Sequence, residues 1–333
     1  MYRLAVSAGG SRGDLDPRRF QEDMRAADEG GVDSVWIGES WGPDAITQLA
    51  LAAAYTSRVR LGSSIVNVFS RTPAALAQHF ATLDVISGGR MILGLGTSGK
   101  NVVEHFHGIP FGRGLRRLRE YIDVINTLVA GEPLNYEGEI FTVNRGFRLQ
   151  FATARPHIPI FIASLTPASV RLTARRADGW LPIYIPVDRL ADEIATLRGI
   201  AAAAGRDPAA LTVRSPGGIV LTKDVERARA ATRSTIAFYV ARMGVSYYNH
   251  LARLLGDETV APIKRAFDEG GSAAGAAAVS DTLAQSMTFA TDSVEAARER
   301  LAQQQAAGVD LHSVAVQADS ARERSALFEA LAR

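Results

Sequence analysis

Residues 59–96 read VRLGSSIVNVFSRTPAALAQHFATLDVISGGRMILGLG. The stretch opens on a short apolar run, Val59 to Ile65, and closes on another, Arg90 to Leu95. Between them Pro73 to Ile86 has the length and composition of a helix. A strand, a helix and a second strand in this order predict a parallel pair joined by a helical crossover. The strands are continuously apolar rather than alternating, which is expected where both faces of a sheet are covered.

The same rhythm extends in both directions. Upstream, Leu4 to Ser7 and Ser34 to Ile37 read as the first two strands. Asp16 and Pro17 supply an N-cap and a first helical residue for a helix through Phe20, Met24 and Ala27 that Gly30-Gly31 ends. Asp44 to Tyr55 is the second helix. Downstream come a helix over Leu115 to Leu128 and a small hairpin over Leu134 to Val143, turning at Glu137-Gly138. Pro159 to Ala163, Gly179 to Ile183, Leu211 to Leu221 and Leu311 to Val316 are strands five to eight. Helices over Pro167 to Arg176, Val187 to Ala204, Ser293 to Ala307 and Ala321 to Leu331 follow them. Eight strand–helix units predict an α/β protein, a (β/α)8 TIM barrel, as one domain over residues 1–333. Residues from about 224 to 291 are too long for a simple connection, so they read as a helical insertion after strand seven, over the barrel mouth.

Composition narrows the function. Lys and Arg total 37 and Asp and Glu 35, a net charge of +2 with no single-sign block, so a nucleic-acid partner is not expected. There is no cysteine, which removes thiol nucleophiles, disulfides and thiolate metal sites. No run of about 18 apolar residues or signal-peptide pattern is present, so neither a membrane partner nor export is expected and the location is cytoplasmic.

In a barrel, chemistry sits at the C-terminal ends of strands. That rule selects Gly38-Glu39-Ser40-Trp41, Ser63-Ser64-Ile65, Gly94 to Lys100, Ala163-Ser164-Leu165-Thr166 and Ile183-Tyr184. Gly94-Leu95-Gly96-Thr97-Ser98-Gly99 matches the dinucleotide fingerprint literally. However, it follows the fourth strand rather than the first, and the acid expected about 20 residues on, Glu120, lies inside a helical run. The preferred reading is a loop whose glycines let the backbone approach a flat ligand. Thr166-Pro167 opens a helix, which suits either plain N-capping or an anion. Glu39 is a candidate acid, base or polar anchor, and Trp41 could stack on a planar ligand or cover the mouth. His105 and His107 lack a metal-ligand pattern, so no metal is expected. Tyr247-Tyr248-Asn249-His250 suits pocket lining or helix packing.

Several stretches together resemble the bacterial luciferase-like flavin and deazaflavin oxidoreductases. They are Val35-Trp36-Ile37-Gly38-Glu39, Arg60 to Ile65, Arg71-Thr72-Pro73-Ala74, Ile86-Ser87-Gly88-Gly89-Arg90 running into Gly94 to Gly99, Pro159 to Ala163, and Ala177-Asp178-Gly179-Trp180. Asn67 to Pro73, Gly96 to Gly99 with Val102-Val103-Glu104, Met243-Gly244 and Tyr248-Asn249 are similar to the branch that uses the 8-hydroxy-5-deazaflavin coenzyme F420. The resemblance implies a ring bound at the strand ends, with a non-proline cis peptide at Ser64-Ile65 beneath it. It implies cofactor contacts from Glu39, Ser64, Ile65, Thr97, Ser98 and Gly99, and a phosphate tail on Ala163, Ser164, Leu165 and Thr166. Ser40, Trp41, Tyr248 and His250 are expected to meet a small-molecule substrate, and Glu39 and Glu104 to supply the proton. Several deazaflavin dehydrogenases carry histidine where this chain has Ser40, so reduction of a C=C, C=N or C=O bond is expected rather than alcohol oxidation. The alternatives are an FMN-dependent two-component monooxygenase and a non-enzymatic flavin-binding relative. Relatives are often dimers, which implies a homodimer.

Overall fold

The structure is a computed structural model and describes residues 1–8 and 16–333. Strands β1 (Leu4–Ala8), β2 (Ser34–Ile37) and β3 (Arg60–Ser63) alternate with helices α1 (Pro17–Glu29) and α2 (Ala45–Tyr55). After the two-residue β4 (Val66–Asn67) come α3 (Pro73–Ser87), β5 (Met91–Gly96), the short α4 (Lys100–His105) and α5 (Gly114–Val129). The hairpin β6 (Leu134–Glu137) and β7 (Thr142–Phe147) stands apart from the main sheet. Then follow β8 (Ile160–Ile162), α6 (Pro167–Arg176), β9 (Gly179–Trp180), α7 (Leu190–Ala203), β10 (Thr212–Val213) and β11 (Ile219–Leu221). Helices α8 (Val225–Arg242), α9 (Val245–Leu255), α10 (Asp257–Ala277) and α11 (Asp281–Met287) occupy the segment that the sequence reads as an insertion. The chain closes with β12 (Phe289–Thr291), α12 (Val294–Ala306), β13 (His312–Val316) and α13 (Ala321–Ala332).

The main sheet runs β10-β9-β8-β5-β3-β2-β1-β13-β11-β12, and its pairs are parallel. A parallel bridge between Arg214 and Leu311 joins the β10 edge back to β13 and curls the sheet into the expected barrel. Local capping sets the helix starts as expected: Asp16 accepts from the Arg18 and Arg19 amides, and Ser293 from Ala296.

Inside the barrel Ala5, Trp36, Ile92, Phe161, Leu181 and Leu311 pack together, with the Trp36 and Phe161 rings 5.3 Å apart. Outside it, one large apolar layer joins the strands to the surrounding helices. Two aromatic rings in so narrow a space require glycine opposite them. A Cβ on Gly62 would lie 2.6 Å from the Trp36 ring, and one on Gly179 2.4 Å from the Phe161 ring.

Three details differ from the expectation. Strand three stops at Ser63, and the chain bulges before a separate β4 pairs with β5. Strand seven is in two pieces, β10 and β11, because Pro216-Gly217-Gly218 interrupts it; proline cannot donate to the ladder. The end of the insertion also returns a strand, β12, to the outer edge of β11. Among the described residues no helix is long and apolar enough to cross a membrane.

Candidate active site

The chain leaves β2 into Gly38-Glu39-Ser40-Trp41 and re-enters a helix at α2. Glu39 faces a partner from the β4–α3 connection. Arg71 Nη1 donates to Glu39 Oε1 at 2.7 Å, and Nη2 donates to Oε2 at 2.9 Å. The Ala45 amide donates to the same Oε2 at 3.1 Å, and Arg71 also pairs with Asp44. Its hydrogen bonds to Glu39 raise the Arg71 pKa further, so the guanidinium stays cationic. With both its oxygens engaged, the Glu39 carboxylate is fixed in place at 7% side-chain exposure. Ser40 is half-buried beside it, and the exposed Trp41 ring lies 6.5 Å from Phe238 of α8.

At the bulge the Ser64–Ile65 peptide is cis, as the resemblance implies. Ser63 turns its hydroxyl to Gly94, donating to the carbonyl and accepting from the amide, both at 2.9 Å. The side chain thus replaces the ladder where the two main chains part. This gives the G-x-G pattern a packing requirement besides the approach to a ligand. A Cβ on Gly94 would lie 1.8 Å from the Ser63 carbonyl oxygen, and one on Gly96 3.1 Å from Ile65 Cδ1. These glycines admit the neighbouring strand and its bulge. Glu120, the acid a dinucleotide fingerprint needs, is buried and accepts the Glu139, Ile140 and Phe141 amides of the β6–β7 turn.

Beyond β5, Thr97 and Ser98 are half-buried, and Ser98 adopts a left-handed φ of 58°. Gly99 starts α4 directly beneath the insertion, where a Cβ would lie 3.0 Å from the Met243 carbonyl. Asn101 Nδ2 donates to the Arg242 carbonyl at 3.2 Å, which ties α4 to α8. Between these helices lies a cavity of about 390 Å³, walled by Trp41, Val102, Phe106, Phe238 and Met243, with His105 and Arg242 as its titratable groups. Glu104 is not part of that wall. Its Oε1 accepts the Phe111 amide at 3.2 Å, and Lys100 Nζ lies 3.7 Å from Oε2.

At the end of β8, Ala163 and Leu165 are half-buried and Ser164 is buried, its hydroxyl 2.9 Å from that of Thr173. Thr166 and Ser169 form a capping box that uses the Thr166 and Ser169 amides. Among the described residues the Leu165 and Ala168 amides form no hydrogen bond, and these two remain as donors at the α6 start.

The insertion residues expected to meet substrate point elsewhere. Tyr248 donates its hydroxyl to Asp257, and its ring packs against the insertion's own core. His250 is buried, with Nε2 3.0 Å from the Ile183 carbonyl, and burial lowers its pKa. Neither lines the cavity; both sit where helix packing turns one face of α9 inward. The sequence reading gave no site role to Arg71, which holds Glu39, or to Arg214 beneath Ser64. No local spacing marks either, because their partners lie 32 and 150 residues away.

The chain is also similar to known proteins over most of its length. The sequence model of the luciferase-like monooxygenase family matches residues 3–311. A Mycobacterium tuberculosis protein named for coenzyme F420-dependent oxidoreductase activity is 34% identical, over 93% of this chain and 94% of its own length. The 5,10-methylenetetrahydromethanopterin reductase of Archaeoglobus fulgidus is 32% identical, over 66% of this chain and 65% of its own. The solved structure of the F420-dependent tetrahydromethanopterin reductase from Methanopyrus kandleri superposes with a TM-score of 0.82, covering 98% of this chain and 97% of that one, at 22% identity. The chain belongs to the luciferase-like monooxygenase family.

Proposed function

We propose that the protein is a coenzyme F420-dependent oxidoreductase that reduces a C=C, C=N or C=O bond of an apolar small molecule. The observation that carries this is the cavity between α4 and α8, apolar on its walls and free of carboxylates, together with the cis Ser64–Ile65 bulge at the C-terminal end of β3. The relatives' printed activities support the cofactor. The donor set suits a tricyclic ring with an acidic tail. Ile65 and Ala163 offer an apolar floor, Thr97 and Ser98 offer hydroxyls, and the Leu165 and Ala168 amides offer donors to an anionic tail at a helix N-terminus.

When bound, coenzyme F420 supplies the hydride. The protein's part is to position and protonate. Trp41, Val102, Phe106, Phe238 and Met243 take the apolar body of the substrate. Arg71, Glu39 and Asp44 lock the β2–α2 and β4–α3 loops together as one wall of the mouth. Glu39 acts here by position, because Arg71 and the Ala45 amide hold its oxygens. Glu104 secures α4 through the Phe111 amide. His105 faces the cavity and delivers the proton opposite the incoming hydride. The same reading makes the protein a cytoplasmic homodimer of 35.6 kDa chains, a mass that light scattering reads directly.

The test is a titration of the apo-protein with coenzyme F420 and with FMN, followed by each chromophore's absorbance and fluorescence. Saturable F420 binding with weaker FMN binding is expected. Tight FMN binding without a response to F420, and oxygen uptake with reduced FMN, would point to the monooxygenase reading instead. With a substrate in hand, His105→Asn should lower turnover at least tenfold and Glu104→Gln should not.

A further inference from the structure

Arg214 follows β10 at the floor of the mouth and is only 7% exposed. Its contacts close around it from four elements. Nε donates to Ser313 Oγ of β13 at 2.9 Å, and Nη2 to Ser7 Oγ of β1 at 2.9 Å. Nη1 donates to Ser64 Oγ at the bulge, at 3.1 Å. The guanidinium carbon stands 5.0 Å from the centre of the Trp36 ring of β2. All four neighbours are neutral, and no carboxylate pairs with it among the described residues. Burial pushes its pKa down to about 10, with no neighbouring charge among the causes, so it remains a cation at neutral pH.

Arg90, bonded only to main-chain carbonyls and the Thr56 hydroxyl, shares this neutrality but lies before β5, at the end of the barrel opposite the mouth, whereas two other shielded arginines have carboxylate partners. Arg155 donates two bonds to the buried Asp84, and Arg71 donates two to Glu39. A buried ion without a counter-ion costs several kcal/mol even after relaxation, and hydroxyl dipoles offset only part of that. A single-sign charge held this way in a concave mouth marks a functional site rather than a structural bridge. A structural bridge between three serines needs donors and no net charge.

Resting on the cofactor reading above, we infer that Arg214 is the fixed counter-charge for the anionic forms of a bound 8-hydroxydeazaflavin. The 8-hydroxyl is a phenol-like acid conjugated to the ring, and the dihydro ring can lose a proton from its pyrimidine end. Either ionisation places negative charge on the heterocycle, and a cation fixed under the site favours both. Ser64 links the two: its hydroxyl accepts from Arg214, and its main chain forms the bulge. Arg214 is thus a residue that tunes the cofactor's charge without itself exchanging a proton.

The experiment is a pH titration, from pH 5 to 9, of coenzyme F420 bound to the wild type, to Arg214→Lys and to Arg214→Gln. The visible bands of the hydroxyl and phenolate forms are the readout, and free coenzyme is the reference. The wild type should favour the phenolate at least tenfold more than water does, a shift of one pH unit. Arg214→Lys should keep most of that preference and Arg214→Gln should lose it. Glutamine retains a donor for the serine hydroxyls, so a merely structural bridge predicts equal shifts in wild type and Arg214→Gln. Equal shifts overturn the inference. So does a wild-type chromophore that ionises as it does in water, which needs no variant to fold. Failure of the wild type to bind the deazaflavin at all overturns the cofactor reading and the inference with it. Binding with an unshifted chromophore overturns the inference alone.

Discussion

Replacing Arg71 by leucine tests the electrostatic frame of the mouth. Glu39 has 7% side-chain exposure and receives two guanidinium bonds, at 2.7 and 2.9 Å. In Arg71→Leu the carboxylate keeps the Ala45 amide at 3.1 Å and loses its counter-ion. Breaking a buried pair from one side costs about 3–5 kcal/mol, because the remaining charge is still desolvated. Two features reduce that here. Arg71 is itself 19% exposed, and Asp44, its second partner, is 41% exposed and rehydrates when Arg71 is removed. The expected loss is therefore near the lower limit, about 3 kcal/mol, read as a lower denaturant midpoint with an unchanged slope. The double variant Arg71→Leu with Glu39→Gln no longer strands a charge. It should be more stable than Arg71→Leu alone by at least about 1 kcal/mol, which a double-mutant cycle measures as coupling. A loss below about 1 kcal/mol in Arg71→Leu, with no coupling to Glu39, would show that the pair is solvated and does not frame the mouth.

Other outcomes follow from the same structure. His312 is buried, and burial, helped by Arg3, lowers its pKa to about 4. The unfolded chain takes up that proton near pH 6.5 and the native state does not, so stability should be full above 6.5 and fall as pH drops toward 4. His312→Gln should flatten that limb of a pH series of unfolding midpoints. For Asp28, burial raises the pKa, but the Val59, Ser57 and Arg58 amides and the Ser57 hydroxyl outweigh it and hold the group below its ordinary value. Its contribution is therefore present above the unfolded pKa and is lost as pH falls through the lowered one. Asp28→Asn turns an amide NH2 toward donors and should cost about 2 kcal/mol at pH 7 by denaturant unfolding. Gly94→Ala places a Cβ 1.8 Å from the Ser63 carbonyl, so strand β5 must shift. Loss of soluble protein, or destabilisation beyond about 2 kcal/mol, is expected, and wild-type stability would contradict the close approach.

What was legible in the sequence was local. Helix caps at Asp16, Thr166 and Ser293 involve residues two or three positions apart, and each forms as expected. The barrel rhythm rests on apolar runs and helical spacing, which a chain displays before it folds. The break in strand seven was less visible, because Pro216-Gly217-Gly218 lies inside a run that still looks apolar on both sides. The insertion's aromatics illustrate the limit from the other side. Tyr248 and His250 are of the right types to meet a substrate, yet helix packing directs them to Asp257 and Ile183.

The order of strands and helices, the parallel topology and the family are all written in short-range pattern or in motifs of fixed order, and so could be read along the chain. Which charges meet emerges only once the barrel closes. Arg71 reaches Glu39 across 32 residues, and Arg214 reaches Ser7 across 207. The glycines of Gly94-Leu95-Gly96 are also required by the strand beside them. The physical reason is that electrostatic pairing and close packing depend on distance in space, which closing the barrel sets and which spacing along the chain does not encode.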